Sequence, residues 1–375
     1  FFEWLRAHLL FNGFPWLLLG YSQTHAILGS WAPWIGVYGI SLLIALISGA
    51  LCLLFSSQHR KHTFQLVVLL LILFSSGAII KNVKRDLPKP SSTPIHTVLI
   101  QGNIAQSLKW NPDQIPHTLK IYYSMTQLIK QRSLVVWPEG AVAAYPQYMP
   151  TFMSALHSLL ALTQSDLIFG TEIFDPKLKQ YYNGLLLVGQ SHGEYRKQHL
   201  VPFGEYYPMQ TIARPILNFL HMPPNGFSSG RPDQPTLMVQ QAKLAPFICY
   251  EIAYPNLVLQ QTKGKQLIIV ISDDSWFGDS IALQQQLEMT QMRARETHRY
   301  VLACNNTGVT AIIGPNGHII KQAPLDQRTM ISADILKMHG NTPLMTWGYG
   351  PIWLFALLLL FIGFVKVQSR SKSPS

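Results

Sequence analysis

Charge is scarce in this 375-residue chain: Lys, Arg, Asp and Glu together make up 13%, against 48% hydrophobic residues. An ordinary soluble domain carries roughly a quarter charged residues. The deficit does not fit disorder, and it fits a soluble domain averaged with lipid-embedded helices. Cysteine is scarce as well, with only Cys52, Cys249 and Cys304. No CxxC pair occurs, which argues against a zinc site or a disulfide framework, and neither a metal nor a cofactor is expected. RRM, zinc-finger and helix-turn-helix patterns are missing, and so are internal repeats. The net charge is +11, from 29 basic and 18 acidic residues, a balance that suits anionic lipid headgroups or nucleic acid. Because the basic residues are dispersed, lipid is the expected partner and nucleic acid is not. The chain opens on Phe1-Phe2-Glu3 without an initiator Met or a signal-peptide pattern, so residues upstream are expected to be missing.

What the sequence does contain is long charge-free runs. Residues 31–55 have no charged side chain and carry Trp31 and Trp34 near their start, the length and aromatic edge of a transmembrane helix. A second run, 64–80, is short of the ~20 residues a span needs but wholly uncharged. A third, 349–365, leads into a polar tail with Lys366, Arg370 and Lys372. Residues 1–20 include Arg6 and His8 and read as a partial span or an interfacial helix. The basic loop His59-Arg60-Lys61-His62 and the tail fall on one side of these spans, as cytoplasmic segments do. Lys81, Lys84, Arg85 and Lys89 lie on the other side and oppose that reading.

Between the spans the texture is α/β. Apolar runs at 97–100, 133–137, 166–169, 184–188, 246–249 and 266–271 lack alternation, which marks strands covered on both faces. Helical patterns at 117–130, 150–162 and 281–300 alternate with them. Two late strands, 308–313 and 318–320, flank Gly314-Pro-Asn-Gly317, a hairpin turn. Cys52, in an apolar helix, and Cys304, in a strand-like run, read as small buried side chains. The expected division is a membrane part at 1–87, an α/β domain at 88–345, and a final span with its tail at 346–375.

Cys249 ends the apolar run Leu244-Ala-Pro-Phe-Ile-Cys249, so a strand presents its thiol at a turn. A thiol of pKa ~8.5 is mostly protonated at neutral pH and needs a base to become a nucleophile. Glu139, in Trp137-Pro-Glu139, is placed to be that base. Lys197 supplies a fixed positive charge for an oxyanion. Singly, each has a plain alternative: a turn glutamate, a surface lysine and a buried strand thiol.

The words around them carry more. Trp137-Pro-Glu139, Lys197-x-x-Leu-Val-Pro-Phe-Gly-Glu205 and Ile248-Cys249-Tyr-Glu251 resemble the carbon–nitrogen hydrolase (nitrilase) superfamily. Apolar helices on both sides narrow the resemblance to its membrane-embedded branch, the apolipoprotein N-acyltransferases. Further similar stretches are Gln101-Gly-Asn-Ile-Ala-Gln-Ser-Leu-Lys-Trp110, Tyr182-Asn183-Gly and Ser272-Asp-Asp-Ser-Trp276-Phe-Gly-Asp279. The resemblance implies an α-β-β-α sandwich inserted between transmembrane helices. It implies Glu139 as general base, Lys197 as oxyanion stabiliser and Cys249 as nucleophile. Glu205 then holds Lys197, Tyr250 and Glu251 flank the nucleophile, and the Tyr250 N–H serves the oxyanion. Trp110, Asn183, Arg214 and Trp276 match positions tied to substrate handling or loop placement, with core packing the alternative for the two tryptophans.

The reaction so implied is ping-pong acyl transfer from a phospholipid, phosphatidylethanolamine by resemblance, to the amine of diacylglyceryl-cysteine on an apolipoprotein. It places the chain in the bacterial inner (cytoplasmic) membrane as a multi-pass protein with its catalytic domain in the periplasm. The apolar loops 209–227 and 145–150 suit a lid against the bilayer or an internal core loop. Two rivals stand beside this reading: a membrane-tethered amidase or nitrilase acting on small C–N substrates, and a non-enzymatic transporter or scaffold. The clear spans contain no charged residue, which disfavours transport.

Overall fold

Segments such as Leu134–Val136 and Leu267–Ser272 are apolar at every position and buried throughout, so each must be covered on both faces. The computed structural model of the chain describes residues 2–9, 13–55, 63–83, 87–109, 111–208 and 226–371. In it, two six-stranded sheets supply that cover. The first has the order β12-β1-β2-β3-β4-β5 and the second β11-β10-β9-β8-β7-β6. Their strands are β1 (Lys89–Gln101), β2 (Leu134–Val136), β3 (Asp166–Asp175), β4 (Gln180–Gly189), β5 (Gly193–Arg196), β6 (Met238–Val239), β7 (Ala242–Ile248), β8 (Leu267–Ser272), β9 (Val301–Asn305), β10 (Ala311–Ile313), β11 (Ile319–Gln322) and β12 (Thr329–His339).

Each sheet has a parallel centre, β1-β2-β3 in one and β7-β8-β9 in the other, with antiparallel strands at the flanks. Alternate residues along a strand face opposite ways, and here both sets are apolar. Leu99, Val136 and Ile168 meet Ile248, Ile269 and Leu302 in the core between the sheets. Val98, Ile100 and Phe169 turn outward and pack under helices α1 (Ile115–Gln127) and α2 (Pro150–Thr163). On the far side, Phe247, Ile268 and Val270 pack under α3 (Pro255–Thr262) and α4 (Ala282–Thr297). The layers are α-β-β-α. The hairpin expected around Gly314–Gly317 is β10-β11, closed by the Gly314 N–H to the His318 carbonyl at 2.8 Å.

Among the described residues two helices are long and apolar enough to cross a membrane, at Ile27–Leu54 and Thr63–Ile80; a third apolar helix, Gly350–Val365, is shorter. Residues 1–20 do not form a span among the described residues. A helix covers only Phe2–Arg6, and 13–18 are non-helical, since Gly13 sits at φ 86° and Pro15 lacks a donor. Cys52 is exposed on its helix rather than buried, facing outward among other apolar side chains such as Leu51 and Leu53. The loop at 58–62 and Lys372 lie outside the described residues.

The first of these apolar helices joins the sandwich through a break. Gly36 has φ 62°, which frees the Val37 N–H from the helix ladder, and that N–H donates to Glu296 Oε1 of α4 at 2.7 Å. A Cβ at Gly36 would lie 2.5 Å from the Tyr349 hydroxyl, which also donates to Glu296 Oε1. Glu296 is balanced by Arg293 Nη1 at 2.8 Å, both fully buried. Val37, Tyr38 and Ile40 therefore share one core with the outer helices of the second sheet.

Candidate active site

Loops at the carboxyl ends of parallel strands are where such sheets place ligands, and here they converge. Cys249 follows β7 directly and opens the turn Cys249–Ala253. Its φ of 52° is left-handed, a strained backbone for a non-glycine residue. Glu251, two residues on, fixes this turn. Its carboxylate accepts from the Ile248 N–H at 2.8 Å, the Gln198 N–H at 2.7 Å, the His199 N–H at 3.2 Å and the Tyr195 hydroxyl at 2.9 Å. Burial pushes its carboxyl up to about 7, against the pull of the Ile248 and Gln198 amides. One buried side chain thus ties the nucleophile turn to the residues next to Lys197.

Lys197 follows β5 and is 1% exposed. Its Nζ lies 2.9 Å from Glu205 Oε1 and 3.6 Å from Glu139 Oε1. Burial alone would lower its pKa; Glu205 and then Glu139 overcome that and hold it above the ordinary lysine value, so it stays charged. Asn183, in β4, spans the same two carboxylates, donating to Glu139 Oε1 at 2.7 Å and Glu205 Oε1 at 2.6 Å. Glu205 Oε2 accepts from the Val201 N–H at 2.7 Å. Glu139 follows β2, and its main chain runs against Gly170 of β3. A Cβ there would stand 2.6 Å from the Glu139 Cα, so only glycine admits this approach. The Cys249 thiol is pushed well above the usual cysteine range, first by burial and then by Glu139, with Lys197 opposing. It rests protonated, so any attack by its sulfur requires a neighbouring base to take the proton.

Glu139, Lys197, Glu205 and Cys249 line one cavity of about 1110 Å³, above the usual range for small-molecule sites. Phe2, Leu5, Leu9, Phe14 and Trp16 of the N-terminal segment form part of its wall.

A family model described as Carbon-nitrogen hydrolase matches residues 99–340, and one described as Apolipoprotein N-acyltransferase N-terminal domain matches residues 1–50. A protein named Apolipoprotein N-acyltransferase from Coxiella burnetii is 42% identical over 363 residues, covering 97% of this chain and 74% of its own. One of the same name from Pseudomonas syringae pv. tomato is 38% identical over 352 residues, covering 93% of this chain and 69% of its own. The chain belongs to the apolipoprotein N-acyltransferase family. The fold is that of the carbon–nitrogen hydrolases. A carbon-nitrogen hydrolase from Helicobacter pylori superposes with TM-score 0.51 at 17% identity, covering 70% of this chain and 94% of that one. A nitrilase-superfamily protein from Saccharomyces cerevisiae gives 0.50 at 19% identity, covering 66% and 92%.

The remaining residues expected in an N-acyltransferase site fall in three places. Tyr250 turns its ring toward the N-terminal segment, where its hydroxyl donates to the Gly13 carbonyl at 3.2 Å and its ring stacks with Phe14 and Trp16. Trp276 is 79% exposed in the turn Asp274–Phe277 and lines the cavity, so it is not a core residue. Trp110, Arg214 and residues 209–225 of the apolar loop lie outside the described residues; Phe227, at the loop's end, lines the cavity.

The structure adds a pair that motif reading passed over. Lys109 and Asp273, both nearly buried, form an ion pair. Lys109 Nζ donates to the Glu139 carbonyl at 2.7 Å, and the Asp273 N–H donates to Glu139 Oε2 at 3.1 Å. Both residues lie inside stretches already matched to the family, Gln101–Trp110 and Ser272–Asp279. Asp273 follows β8 directly, whereas Lys109 ends the short helix Gln106–Lys109, so only the aspartate carried a strand-end signal.

Proposed function

We propose that this chain transfers a fatty acyl group from a membrane phospholipid to the N-terminal amine of a diacylglyceryl-cysteine lipoprotein, through a thioester on Cys249. The observation that carries the reading is the cavity. It joins a nitrilase-type Glu–Lys–Cys set to an apolar wall built by the segment that leads into the first spanning helix. A site for a small amide needs neither that volume nor that wall.

In the first half-reaction Glu139 takes the Cys249 proton as sulfur attacks the ester carbonyl. The oxyanion forms beside the Lys197 ammonium and the Tyr250 amide, donors of the kind worth about 3–4 kcal/mol each in such sites. Collapse breaks the ester C–O bond, and the proton passes from Glu139 to the departing lysophospholipid. In the second, the acceptor amine attacks the thioester, the C–S bond breaks and the thiol is restored. Water must stay out, because hydrolysis of the thioester would turn the enzyme into a phospholipase. Phosphatidylethanolamine is the donor we favour, and the inner membrane, with residues 88–345 on the periplasmic face and spans in 1–87 and 346–375, the location. The apolar helices and the family membership support that placement.

Incubation with labelled phospholipid should give the parent chain a hydroxylamine-sensitive adduct of fatty-acyl mass on the Cys249 peptide, and Cys249→Ser none. An adduct retained by Cys249→Ser would refute the assignment. Release of ammonia from small amides at comparable rates would favour the amidase reading instead.

A further inference from the structure

Among the described residues, four carboxylates line the cavity: Glu139, Glu172, Glu205 and Asp273. Three of them have a cation alongside. Lys197 serves Glu139 and Glu205, and Lys109 serves Asp273. Glu172 has no lysine or arginine partner among the described residues. Its side-chain hydrogen bond is to the Tyr145 hydroxyl, and burial raises its carboxyl above the usual glutamate range.

Its position is close to the chemistry. Alternation along β3 puts Ile168, Gly170 and Glu172 on one face, and Ile168 assigns that face to the space between the sheets. Where the sheets part, the same face becomes cavity wall. Directly opposite Glu172 in β4 stands Asn183, and such pairs keep their Cβ atoms about 4.5–5.5 Å apart. Asn183 is the residue that holds both Glu139 and Glu205. Glu172 is therefore one side chain away from the general base. A carboxylate half-buried in an apolar cavity without a counter-charge is unfavourable, and a cationic ligand group would complete it.

Resting on the acyl-transfer reading above, we propose that Glu172, with Tyr145 beside it, is the subsite for a primary ammonium group on a substrate. Two substrates carry that group: the acceptor, at its N-terminus, and a phosphatidylethanolamine donor, in its headgroup. For the acceptor, the subsite has a chemical consequence. An ammonium has no lone pair, so one proton must leave before attack; Glu172 Oε can take it and releases it to solvent after the acylated product departs. As the N–C bond forms and the C–S bond breaks, the amine loses a second proton to Glu139, which returns it to the Cys249 thiolate.

The test uses the full chain in liposomes and reads the half-reactions separately by intact mass. Acylation of Cys249 is followed with phosphatidylethanolamine and with phosphatidylglycerol. Discharge of the adduct is followed with a diacylglyceryl lipopeptide and with hydroxylamine, a nucleophile that is neutral at pH 7. Glu172→Gln should raise KM for the lipopeptide about tenfold or more, leaving hydroxylamine discharge and both acylations within about twofold. Tyr145→Phe, which keeps the carboxylate, should shift the same KM by a smaller factor, about two- to fivefold. Slowing of acylation by phosphatidylethanolamine alone would assign the subsite to the donor headgroup and still uphold it. Unchanged behaviour of Glu172→Gln with all four reagents overturns the proposal. So does equal loss with both donors and hydroxylamine, which would mean that Glu172 supports the triad. A parent chain that forms no adduct with either phospholipid overturns the acyl-transfer reading, and the subsite with it.

Discussion

Replacing Lys109 by Met leaves the Asp273 carboxylate buried with its cation gone. Lys109 and Asp273 are 4% and 5% exposed, so solvent cannot take the lysine's place. The Asn306 side chain and the Ser275 N–H, each 3.3 Å from Asp273 Oδ1, offset only part of the loss. Breaking one partner of a buried pair costs about 3–5 kcal/mol, and the Glu139 carbonyl loses a donor worth about 1 kcal/mol more. Asp273→Asn strands the lysine instead but keeps the Asp273 N–H that donates to Glu139 Oε2. At about 2–4 °C of Tm per kcal/mol for a domain of this size, the Lys109 change should lower Tm by roughly 8–24 °C and the Asp273 change by roughly 6–20 °C. The double variant removes both charges, so thermal melts of all four proteins should show a coupling of at least about 2 kcal/mol. Acylation of Cys249 by the double variant should stay about tenfold slow even where stability returns, because the tie on the Glu139 main chain is gone. Additive single effects, with coupling below about 0.5 kcal/mol, would refute the claim that the pair acts as one device.

Two further outcomes follow from the same geometry. Because burial and Glu139 push the Cys249 thiol up, thiolate is scarce at neutral pH and appears only as pH climbs past the usual cysteine range. Iodoacetamide labelling of Cys249 should therefore be slow at neutral pH and still rising at pH ~10; a plateau near neutrality would contradict it. Glu251→Ala strands three backbone N–H groups, that of Ile248 at the Cys249 turn and those of Gln198 and His199 beside Lys197. At about 1–3 kcal/mol for each that water cannot reach, it should lower Tm by at least about 5 °C and abolish acylation, and normal acylation would show that the turn holds itself.

The layered fold was legible because strands covered on both faces leave an unmistakable run, as at 266–271. The helices at 150–163 and 282–297 were legible because their apolar period is helical. Cys249, Glu139 and Lys197 were visible only through their neighbouring words, since a lone glutamate or lysine has no signature. The Lys109–Asp273 pair escaped because its two members are 164 residues apart and meet only when both sheets stack. Glu172 escaped for a related reason: its significance comes from Asn183 across the strand pair and from having no lysine or arginine partner among the described residues. The Cys52 reading failed because an apolar helix gives no sequence signal for which side faces protein and which faces lipid. Residues 1–20 read as a partial span or an interfacial helix; among the described residues a helix covers Phe2–Arg6, and Gly13 and Pro15 keep 13–18 out of it.

Charge bookkeeping explains why the N-terminal segment belongs to the site. Glu139, Glu205 and Lys197 together carry a net −1 beside a neutral thiol. In the proposed reaction Glu139 takes the thiol proton, and that charge moves onto sulfur and then onto the oxyanion without leaving the reach of Lys197. No new charge appears in the cavity, so the barrier depends on how strongly a fixed ammonium favours one end of that path over the other. Such a preference is large only where water is excluded, because Coulomb energies between fixed charges fall as the local dielectric rises. The segment at 13–16 closes one side of the cavity: Gly13 accepts from the Tyr250 and Tyr254 hydroxyls, and Trp16 donates to Gln285 of α4 at 2.7 Å. An apolar wall made from the membrane-proximal chain therefore does two jobs with the same atoms. In the proposed reaction it receives an acyl chain, and it keeps the dielectric low enough for Lys197 to stabilise the charge that the chain's ester would carry.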